Sequence, residues 1–340
     1  MRRAAATVSL ITAFGLAVAC SAAPETSTSS SRLAMPTSAT LPAAITSLTA
    51  INGTASVVAG LADGRMAVWT PADEPVLLKP HATRILAVGS STDGREGWSL
   101  AVDGSLARTR LEAGASPTLQ QIDLGPAPTR AAAFSSDGTL LVTGGEFGDV
   151  RVFDTASGAL RQTLRGHRTE MQALAVRPGS TIVASASAEA DLRLWDGATG
   201  RELTSVDTDL SLFALGFSPR DGTLASGGVD RRVTLRDAAT HASVGTFDLP
   251  APALVASVAW SPDGQWLAIG DIDDATLAKG GLRVVDVRTR EEVVSLDTGS
   301  GAPSALTFVG DGSALVGVIG RELRAWPLPQ HSTARAHGGS

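Results

Sequence analysis

GHRTEMQALAVRPGSTIVASASAEADLRLWD, the sequence from Gly166 to Asp196, carries the clearest structural signal in this chain. It contains three short apolar runs, at Met171 to Val176, Ile182 to Ser187 and Leu192 to Trp195, and a fourth follows at Glu202 to Val206. Turn-forming residues separate the runs, as is typical of antiparallel strands joined by tight connections. The segment therefore predicts a small four-stranded sheet.

The segment opens on Gly-His and closes its third run on Trp-Asp, and in this it resembles a WD repeat. The end of the third apolar run recurs along the chain at intervals of about one repeat. One interval, before the sixth repeat, is longer than the others. The aligned positions are Trp69, Thr109, Phe153, Trp195, Arg236, Val285 and Trp326. The resemblance implies an all-β fold, a seven-bladed β-propeller of four-stranded antiparallel blades spanning residues 41–328.

The last repeat stops after its third strand at Trp326, whereas a complete blade needs four strands. In WD-repeat proteins a strand from the beginning of the chain commonly fills that gap and removes an exposed sheet edge. The resemblance therefore implies a ring closed by an N-terminal strand near Arg32 to Ser38, where an edge position would tolerate Pro36. Residues 329–340 are expected to form a flexible tail.

The chain begins with Arg2, Arg3 and an uncharged, Ala-rich run, which predicts a secretory signal peptide over residues 1–19. The run ends in LAVAC at Cys20 and resembles the lipobox of bacterial lipoproteins. The resemblance implies a lipidated Cys20, a membrane anchor and a place in the cell envelope outside the cytoplasm. The alternative is a simple cleaved signal with an incidental cysteine. Residues 20–40 are rich in Ser, Thr, Ala and Pro, which predicts a disordered tether after the lipidated cysteine.

The composition of the sequence excludes several kinds of site and partner. Cys20 is the one cysteine in the sequence. With Cys20 lipidated, the mature chain has no thiol, which excludes a disulfide framework and a cysteine-based metal or catalytic site. The formal net charge is -6, and no basic run is interleaved with aromatic residues. We therefore expect no nucleic-acid partner. We also expect no cofactor and a monomeric protein.

The fourth repeat comes nearest to the structural hydrogen-bond set of the WD-repeat family, which consists of His, Ser or Thr, Asp and Trp. The resemblance places His167, Ser185 or Ser187, and Trp195 in this set. It puts Glu189 where the family has Asp, so a strained or rearranged network is expected. A catalytic base is the alternative role for His167, and a buried structural histidine is the favoured one.

No catalytic motif is present: the sequence has no HExxH, no Gly-x-Ser-x-Gly and no P-loop. Asp-Gly pairs recur at matching places, which favours hairpin turns over a carboxylate array. Their aspartates are Asp63, Asp93, Asp103, Asp137, Asp221, Asp263 and Asp311. The sixth repeat contains an insertion, GDIDDATLAKGG, with Asp271, Asp273 and Asp274. These could bind a hard cation such as calcium, but an acidic, solvated loop is the favoured interpretation.

These observations favour a non-enzymatic platform for a protein or peptide partner. An enzyme or small-ligand binder that uses the central channel, and a structural part of an envelope assembly, are the alternatives. WD-repeat partners often dock just before the apolar run of the first strand, and the alignment transfers that place to a candidate face on repeats two to five. Its informative residues are Arg84, Arg130, Glu170, Gln172 and Phe213. Arginine and aromatic residues often dominate interface energies.

Overall fold

The computed structural model describes residues 37–125, 128–237, 239–250, 253–273 and 279–329. The signal peptide, Cys20, most of the predicted tether, Asp274 and the tail from residue 330 lie outside these ranges. The described residues form 28 strands in seven four-stranded sheets. Among them, no helix is long and apolar enough to cross a membrane.

The seven sheets are the blades of one propeller, numbered here along the chain. The first strand, β1 (Thr37–Thr40), joins blade 7. Blade 1 consists of β2 (Ile45–Ala50), β3 (Val57–Leu61), β4 (Met66–Trp69) and β5 (Val76–Leu78). Blade 2 consists of β6 (Ile85–Ser90), β7 (Glu96–Ala101), β8 (Ser105–Arg110) and β9 (Thr118–Gln121). Blade 3 consists of β10 (Thr129–Phe134), β11 (Leu140–Gly145), β12 (Val150–Asp154) and β13 (Leu160–Leu164).

The remaining blades continue the same antiparallel order. Blade 4 consists of β14 (Met171–Val176), β15 (Ile182–Ser187), β16 (Asp191–Asp196) and β17 (Glu202–Asp207). Blade 5 consists of β18 (Leu212–Phe217), β19 (Leu224–Gly228), β20 (Arg232–Arg236) and β21 (Ser243–Asp248). Blade 6 consists of β22 (Ala253–Trp260), β23 (Trp266–Asp273), β24 (Lys279–Asp286) and β25 (Glu292–Ser300). Blade 7 consists of β26 (Ala305–Val309), β27 (Ala314–Ile319), β28 (Glu322–Pro327) and β1.

The fold confirms the seven-bladed propeller, and every aligned position from Trp69 to Trp326 lies in the third strand of a blade. The N-terminal strand closes the ring, and it overlaps the expected segment at Thr37 and Ser38. β1 pairs with β28, with Thr37 opposite Ala325 and Thr40 opposite Glu322. The rest of the expected segment, including Pro36, lies outside the described residues.

The core lies between the blades. Seven clusters of buried apolar residues fill the seven junctions between neighbouring blades. Trp195 shows the arrangement, because it packs among Val142, Val150 and Met171 at the junction of blades 3 and 4. Burial at these junctions, rather than a central core, therefore holds the repeats together.

Blade 6 differs from the others in height. Its strands have 8, 8, 8 and 9 residues, whereas strands elsewhere have 3 to 6. Most of the predicted acidic loop is therefore strand, with Asp271 opposite Gly281 and Ile272 opposite Gly280. Because both strands of the hairpin keep pairing, the described part of the insertion lengthens the strands of the blade.

Candidate functional site

The propeller has two faces, which the strand order defines. One face carries the connections into each first strand and the turns between second and third strands, and we call it the entry face. The other carries the turns between first and second strands and between third and fourth strands, and we call it the opposite face. Six first strands bulge near the entry face at one shared place, where the pairing register skips a residue. The skipped residues are Thr46, Leu86, Arg130, Gln172, Phe213 and Ala256.

Four of the five predicted face residues lie where the sequence placed them. Arg130, Gln172 and Phe213 are the bulge residues of blades 3, 4 and 5, and Glu170 precedes its bulge by two positions. A β-bulge leaves its residue outside the hydrogen-bond ladder and changes the direction of its side chain. The predicted positions therefore have a shared structural basis.

Arg84 was placed wrongly as the equivalent of Gln172. The bulge of blade 2 is Leu86, and the Arg84 carbonyl accepts a hydrogen bond from Val102 N–H at 3.0 Å. The Glu170 carbonyl makes the same contact with the residue that follows its own second strand, at 3.0 Å. Arg84 is thus the equivalent of Glu170, because the second repeat is too divergent to fix the alignment to a single residue. It remains at the entry face.

Three of the predicted residues meet in one polar cluster, which we call the Arg130 cluster (Arg130, Glu146, Glu170 and Gln172). An Arg130 guanidinium nitrogen lies 3.2 Å from a Glu146 carboxylate oxygen, and Arg130 Nε lies 3.7 Å from a Glu170 oxygen. Gln172 Nε2 donates to Glu170 Oε1 at 3.2 Å. The cluster spans blades 3 and 4 and sets two carboxylates against one guanidinium.

Phe147 is the residue of this face that sequence reasoning missed. It follows Glu146 in the turn between β11 and β12, and it is 71% exposed. A large aromatic side chain in an otherwise polar turn, GGEFGD, was the available signal. Its chain neighbour Glu146 belongs to the Arg130 cluster, and Phe147 therefore gives the entry face an exposed apolar contact residue.

The His167 network lies within blade 4, and its His167, Ser185 and Trp195 side chains are buried. His167 Nε2 is 2.7 Å from Ser185 Oγ, and Trp195 Nε1 donates to the same oxygen at 2.7 Å. His167 Nδ1 lies 2.8 Å from both carboxylate oxygens of Asp191. The four residues join the connection into the blade to its second and third strands.

The carboxylate of this network is Asp191, so the assignment of Glu189 was wrong. Glu189 lies in the turn and pairs with exposed Arg168 at 3.2 Å. Ser187 donates to Asp191, and Arg193 Nε donates to it at 2.9 Å. The network is intact rather than strained, because the third strand begins at Asp191 and turns that side chain toward His167.

Ser185, His167 and Asp191 have the connectivity of a catalytic triad, but the arrangement is structural. Ser185 is fully buried, and its oxygen is held by Trp195, so a substrate carbonyl has no route to it. Burial lowers the pKa of His167 below its ordinary value despite the neighbouring Asp191 carboxylate. A neutral, inaccessible histidine fits a structural role.

Blade 2 contains a second histidine network that the sequence analysis missed. His81 Nε2 lies 2.8 Å from Ser99 Oγ, and His81 Nδ1 lies 2.7 Å from Ser105 Oγ. Ser105 in turn donates to Asp103 Oδ1 at 2.6 Å. Ser105 and Thr109 occupy the places of Asp191 and Trp195, which is why the repeat did not match the family pattern.

The Asp-Gly pairs are turn elements, as predicted. In every pair, the aspartate Oδ1 accepts a hydrogen bond from the backbone N–H two residues later, at 3.0 to 3.2 Å. The following glycine has positive φ, for example 81° at Gly104, which a side chain would disfavour. These carboxylates cap turns around the ring and do not converge on one site.

The insertion in blade 6 holds an ion pair. Asp271 is buried, and Arg283 Nε donates to its carboxylate at 3.2 Å. Gly281 leaves the room for this carboxylate, since a Cβ there would lie 2.7 Å from Asp271 Oδ1. The solvated-loop interpretation was therefore wrong for Asp271. In the described ranges, no three His, Cys, Asp or Glu side chains are grouped to hold a metal ion.

Comparison with known proteins agrees with this geometry. Residues 158–196 and 243–277 match the WD40 family, described as WD domain, G-beta repeat. These matches support a WD-repeat β-propeller. The first matched segment begins just before the fourth strand of blade 3 and the second begins with the fourth strand of blade 5, and each continues into the next blade. The matched sequence repeat is therefore offset from the blades.

Several WD-repeat proteins are similar to the chain. The WD repeat-containing protein VIP3 of Arabidopsis thaliana is 31% identical over 39% of this chain and 46% of its own length. The small ribosomal subunit protein RACK1 of Medicago sativa is 28% identical over 51% of this chain and 43% of its own. The pre-mRNA-processing factor 19 of Bos taurus is 25% identical over 58% and 37%. The chain thus spans less than half the length of these relatives.

Proposed function

We propose that this protein is a non-enzymatic, lipid-anchored WD-repeat protein of the cell envelope. It acts outside the cytoplasm as a monomeric platform for a protein or peptide partner. The partner binds at the entry face of blades 2 to 5.

The observation that carries the binding role is the Arg130 cluster with Phe147 beside it in the chain. Arginine and aromatic side chains supply much of the binding energy at protein interfaces, and polar groups around them set specificity. Here an exposed phenylalanine follows Glu146 in the chain, and Glu146 pairs with a guanidinium that also faces Glu170. These charged groups are partly open to solvent. Phe213 adds a second aromatic side chain at the bulge of blade 5.

The central channel gives less support to the alternative of an enzyme or a small-ligand binder. The seven first strands contact one another around the ring. Their described residues include one charged side chain, Arg130. General acid–base catalysis needs titratable groups within hydrogen-bond reach of a substrate. The proposal therefore takes the entry face as the working surface.

The binding role is tested with the double variant Arg130→Ala, Phe213→Ala, made in the full chain. Partner capture is compared with that of the wild type by affinity purification from detergent extract, using Arg288→Ala on the opposite face as a control. We expect capture by the double variant to fall by at least about tenfold, because arginine and aromatic hot spots each contribute more than 1 kcal/mol. Its melting temperature should stay close to that of the wild type. Undiminished capture would contradict the assignment of this face.

The anchor is tested by Cys20→Ala. If acylation of Cys20 holds the protein on the membrane, the variant moves from the membrane pellet to the soluble extracytoplasmic fraction, since several acyl chains are needed for stable attachment. Metabolic labelling with a fatty-acid analogue should mark the wild type alone. A variant that stays in the pellet after a salt wash would refute the lipid anchor and leave the binding face untouched.

A further inference from the structure

Asn52 is the one asparagine in the sequence, and Gly53 follows it. The pair lies on the opposite face, in the turn between β2 and β3. The Thr54 N–H donates to the Ile51 carbonyl at 3.1 Å, which places Asn52 and Gly53 at the two central positions of a β-turn. Gly53 has a φ of 72°, and both central residues are exposed. Blade 1 therefore presents an Asn-Gly pair to solvent.

The Asn52 side chain joins three blades through contacts that we call the Asn52 bridge (Asn52, Ser91 and Ser136). Its Nδ2 donates to the Ser91 carbonyl in blade 2 and to the Ser136 carbonyl in blade 3, at 3.2 Å each. Both acceptors are carbonyl oxygens, so only the NH₂ end of the amide can make these contacts. The Thr54 carbonyl also accepts a hydrogen bond from Gly310 N–H of blade 7, at 2.7 Å. The turn of blade 1 thus connects the corresponding turns of blades 7, 2 and 3.

The Asn52 bridge lies at one end of the central channel. Asn52 bounds a cavity of about 140 Å³ together with residues of the first strands of blades 1, 2, 3 and 7, among them Thr49, Val88, Phe134 and Thr307. The amide contacts therefore hold neighbouring blades together where the channel meets the opposite face.

Asparagine is a thermolabile residue, and an exposed Asn-Gly pair loses the asparagine amide without an enzyme. The Gly53 backbone nitrogen attacks Asn52 Cγ, the bond from Cγ to Nδ2 breaks, and ammonia leaves with the proton of the Gly53 N–H. The product is a cyclic succinimide. Water then adds to one of its two carbonyl groups and opens the ring, which leaves either aspartate or isoaspartate at position 52.

The surroundings of Gly53 favour this attack. Glycine has no side chain to shield its nitrogen, and its backbone is the most adaptable of all residues. Apart from its chain neighbours, no atom lies within 4 Å of the place where a Cβ on Gly53 would stand. The two hydrogen bonds of the Asn52 bridge restrain the amide, so we expect the folded protein to react more slowly than the unfolded chain.

We propose that Asn52 deamidates spontaneously in the folded protein and that this modification breaks the Asn52 bridge. A carboxylate has no N–H to donate, so the product places a negative charge against the Ser91 and Ser136 carbonyl oxygens. Because the ammonia is lost, the change is irreversible. The protein therefore accumulates with age a form whose blades 1, 2 and 3 are no longer joined at this turn.

The modification is tested with purified full-length protein in detergent, incubated at neutral pH. The peptide that contains residue 52 is followed over time by mass spectrometry. We expect the mass gain of an amide-to-acid conversion, located at residue 52 by fragmentation, and two products that separate as the aspartate and isoaspartate forms. The Asp-Gly pairs can also form isoaspartate, but without a change of mass, so they do not give this signal. Wild-type protein in urea should convert faster.

Asn52→Gln is the matched control for the chemistry. Its amide is one carbon farther from the backbone, so the corresponding ring is larger and forms more slowly, and the variant should keep its amide over the same period. Failure of the folded wild type to lose its amide, in an incubation long enough for the unfolded chain to lose it, would overturn the proposal.

Two further variants test the effect on the fold. Asn52→Asp reproduces one product, and Asn52→Ala removes the bridge without adding charge. Asn52→Asp should lower the melting temperature by at least about 2 °C, and by more than Asn52→Ala does, because repulsion adds to the loss of two hydrogen bonds. If Asn52→Asp melts at the same temperature as the wild type, the bridge is not broken by the modification and the proposal fails.

Discussion

Blades 4 and 2 build the same histidine network from different residues. In blade 4, buried His167 bridges Ser185 and the Asp191 carboxylate, and Trp195 donates to the same serine. In blade 2, buried His81 bridges two serines, Ser99 and Ser105. The backbone positions correspond, but a hydroxyl has replaced the carboxylate and Thr109 has replaced the tryptophan.

The comparison shows which part of the network the fold requires. Both blades keep a histidine that fastens the incoming connection to the second strand. The third-strand partner varies, because the apolar junction beside it can be filled in another way. Between blades 1 and 2, Leu111 packs with Met66 and Val88. The Trp and Asp positions are therefore open to substitution where neighbouring apolar side chains compensate.

The largest expected effect comes from Trp195→Ala. This change opens a cavity at the junction of blades 3 and 4 and removes the donor to Ser185, so unfolding free energy should fall by about 3 to 5 kcal/mol. Urea denaturation followed by circular dichroism measures it. A loss below about 1 kcal/mol would mean that blade 4 depends on its tryptophan no more than blade 2 does.

A smaller loss is expected for Asp191→Asn. The amide keeps the shape but removes the charge that faces His167 and Arg193, so stability should drop by about 2 kcal/mol. Glu189→Gln is the matched control and should change stability by less than about 0.5 kcal/mol, since Glu189 makes an exposed pair. The reverse order of the two effects would restore Glu189 as the network residue.

Acid pH should distinguish the two histidines. Burial lowers the pKa of both below the ordinary value, so the unfolded chain takes up protons first as the pH falls. The contribution of the two neutral histidines to the free energy of unfolding is complete above about pH 6.5 and is lost as the pH falls below it. The charged group that faces His81 is Asp103, which is not in direct contact with it, whereas Asp191 touches His167. His81→Gln should therefore flatten the loss of stability between pH 7 and 5 more than His167→Gln does. Equal slopes in pH-dependent denaturation would contradict this reasoning.

The smallest effect is expected for Thr109→Val. Thr109 is buried, and among the described residues its hydroxyl has no hydrogen-bond partner. An apolar side chain of the same shape should therefore leave stability unchanged or raise it by up to about 1 kcal/mol. Differential scanning calorimetry resolves such a shift. A clear loss of stability would show that the hydroxyl has a function in blade 2 that its surroundings do not explain.

The fold was predictable from the sequence because of its repeat period, whereas individual side-chain contacts were not predictable. The recurring third-strand ends placed all seven blades, because a strand that must pack at a blade junction keeps its spacing. Glu189 was misassigned because the sequence of the turn does not show which nearby carboxylate points inward at the start of the third strand. His81 was missed because its partners, Ser105 and Thr109, are not the family's residue types.

The burial of charged residues was also not predictable from the sequence. Asp271 looked solvated among neighbouring acids, but the insertion continues the strands and pairs it with Arg283. On the entry face, the alignment found Arg130 and Phe213 because the bulge recurs at one place. It gave no sign of Phe147, which belongs to a turn that differs from blade to blade.

The measurement that most directly tests binding at the entry face is site-specific photo-crosslinking in intact cells. The photoreactive amino acid p-benzoylphenylalanine is introduced in place of Phe147, and in place of exposed Thr289 on the opposite face as a control. The proposal predicts a discrete crosslinked product from position 147, which weakens when Arg130→Ala is added, and no product from position 289. Crosslinking from position 289 alone would place the partner on the opposite face and contradict the proposal.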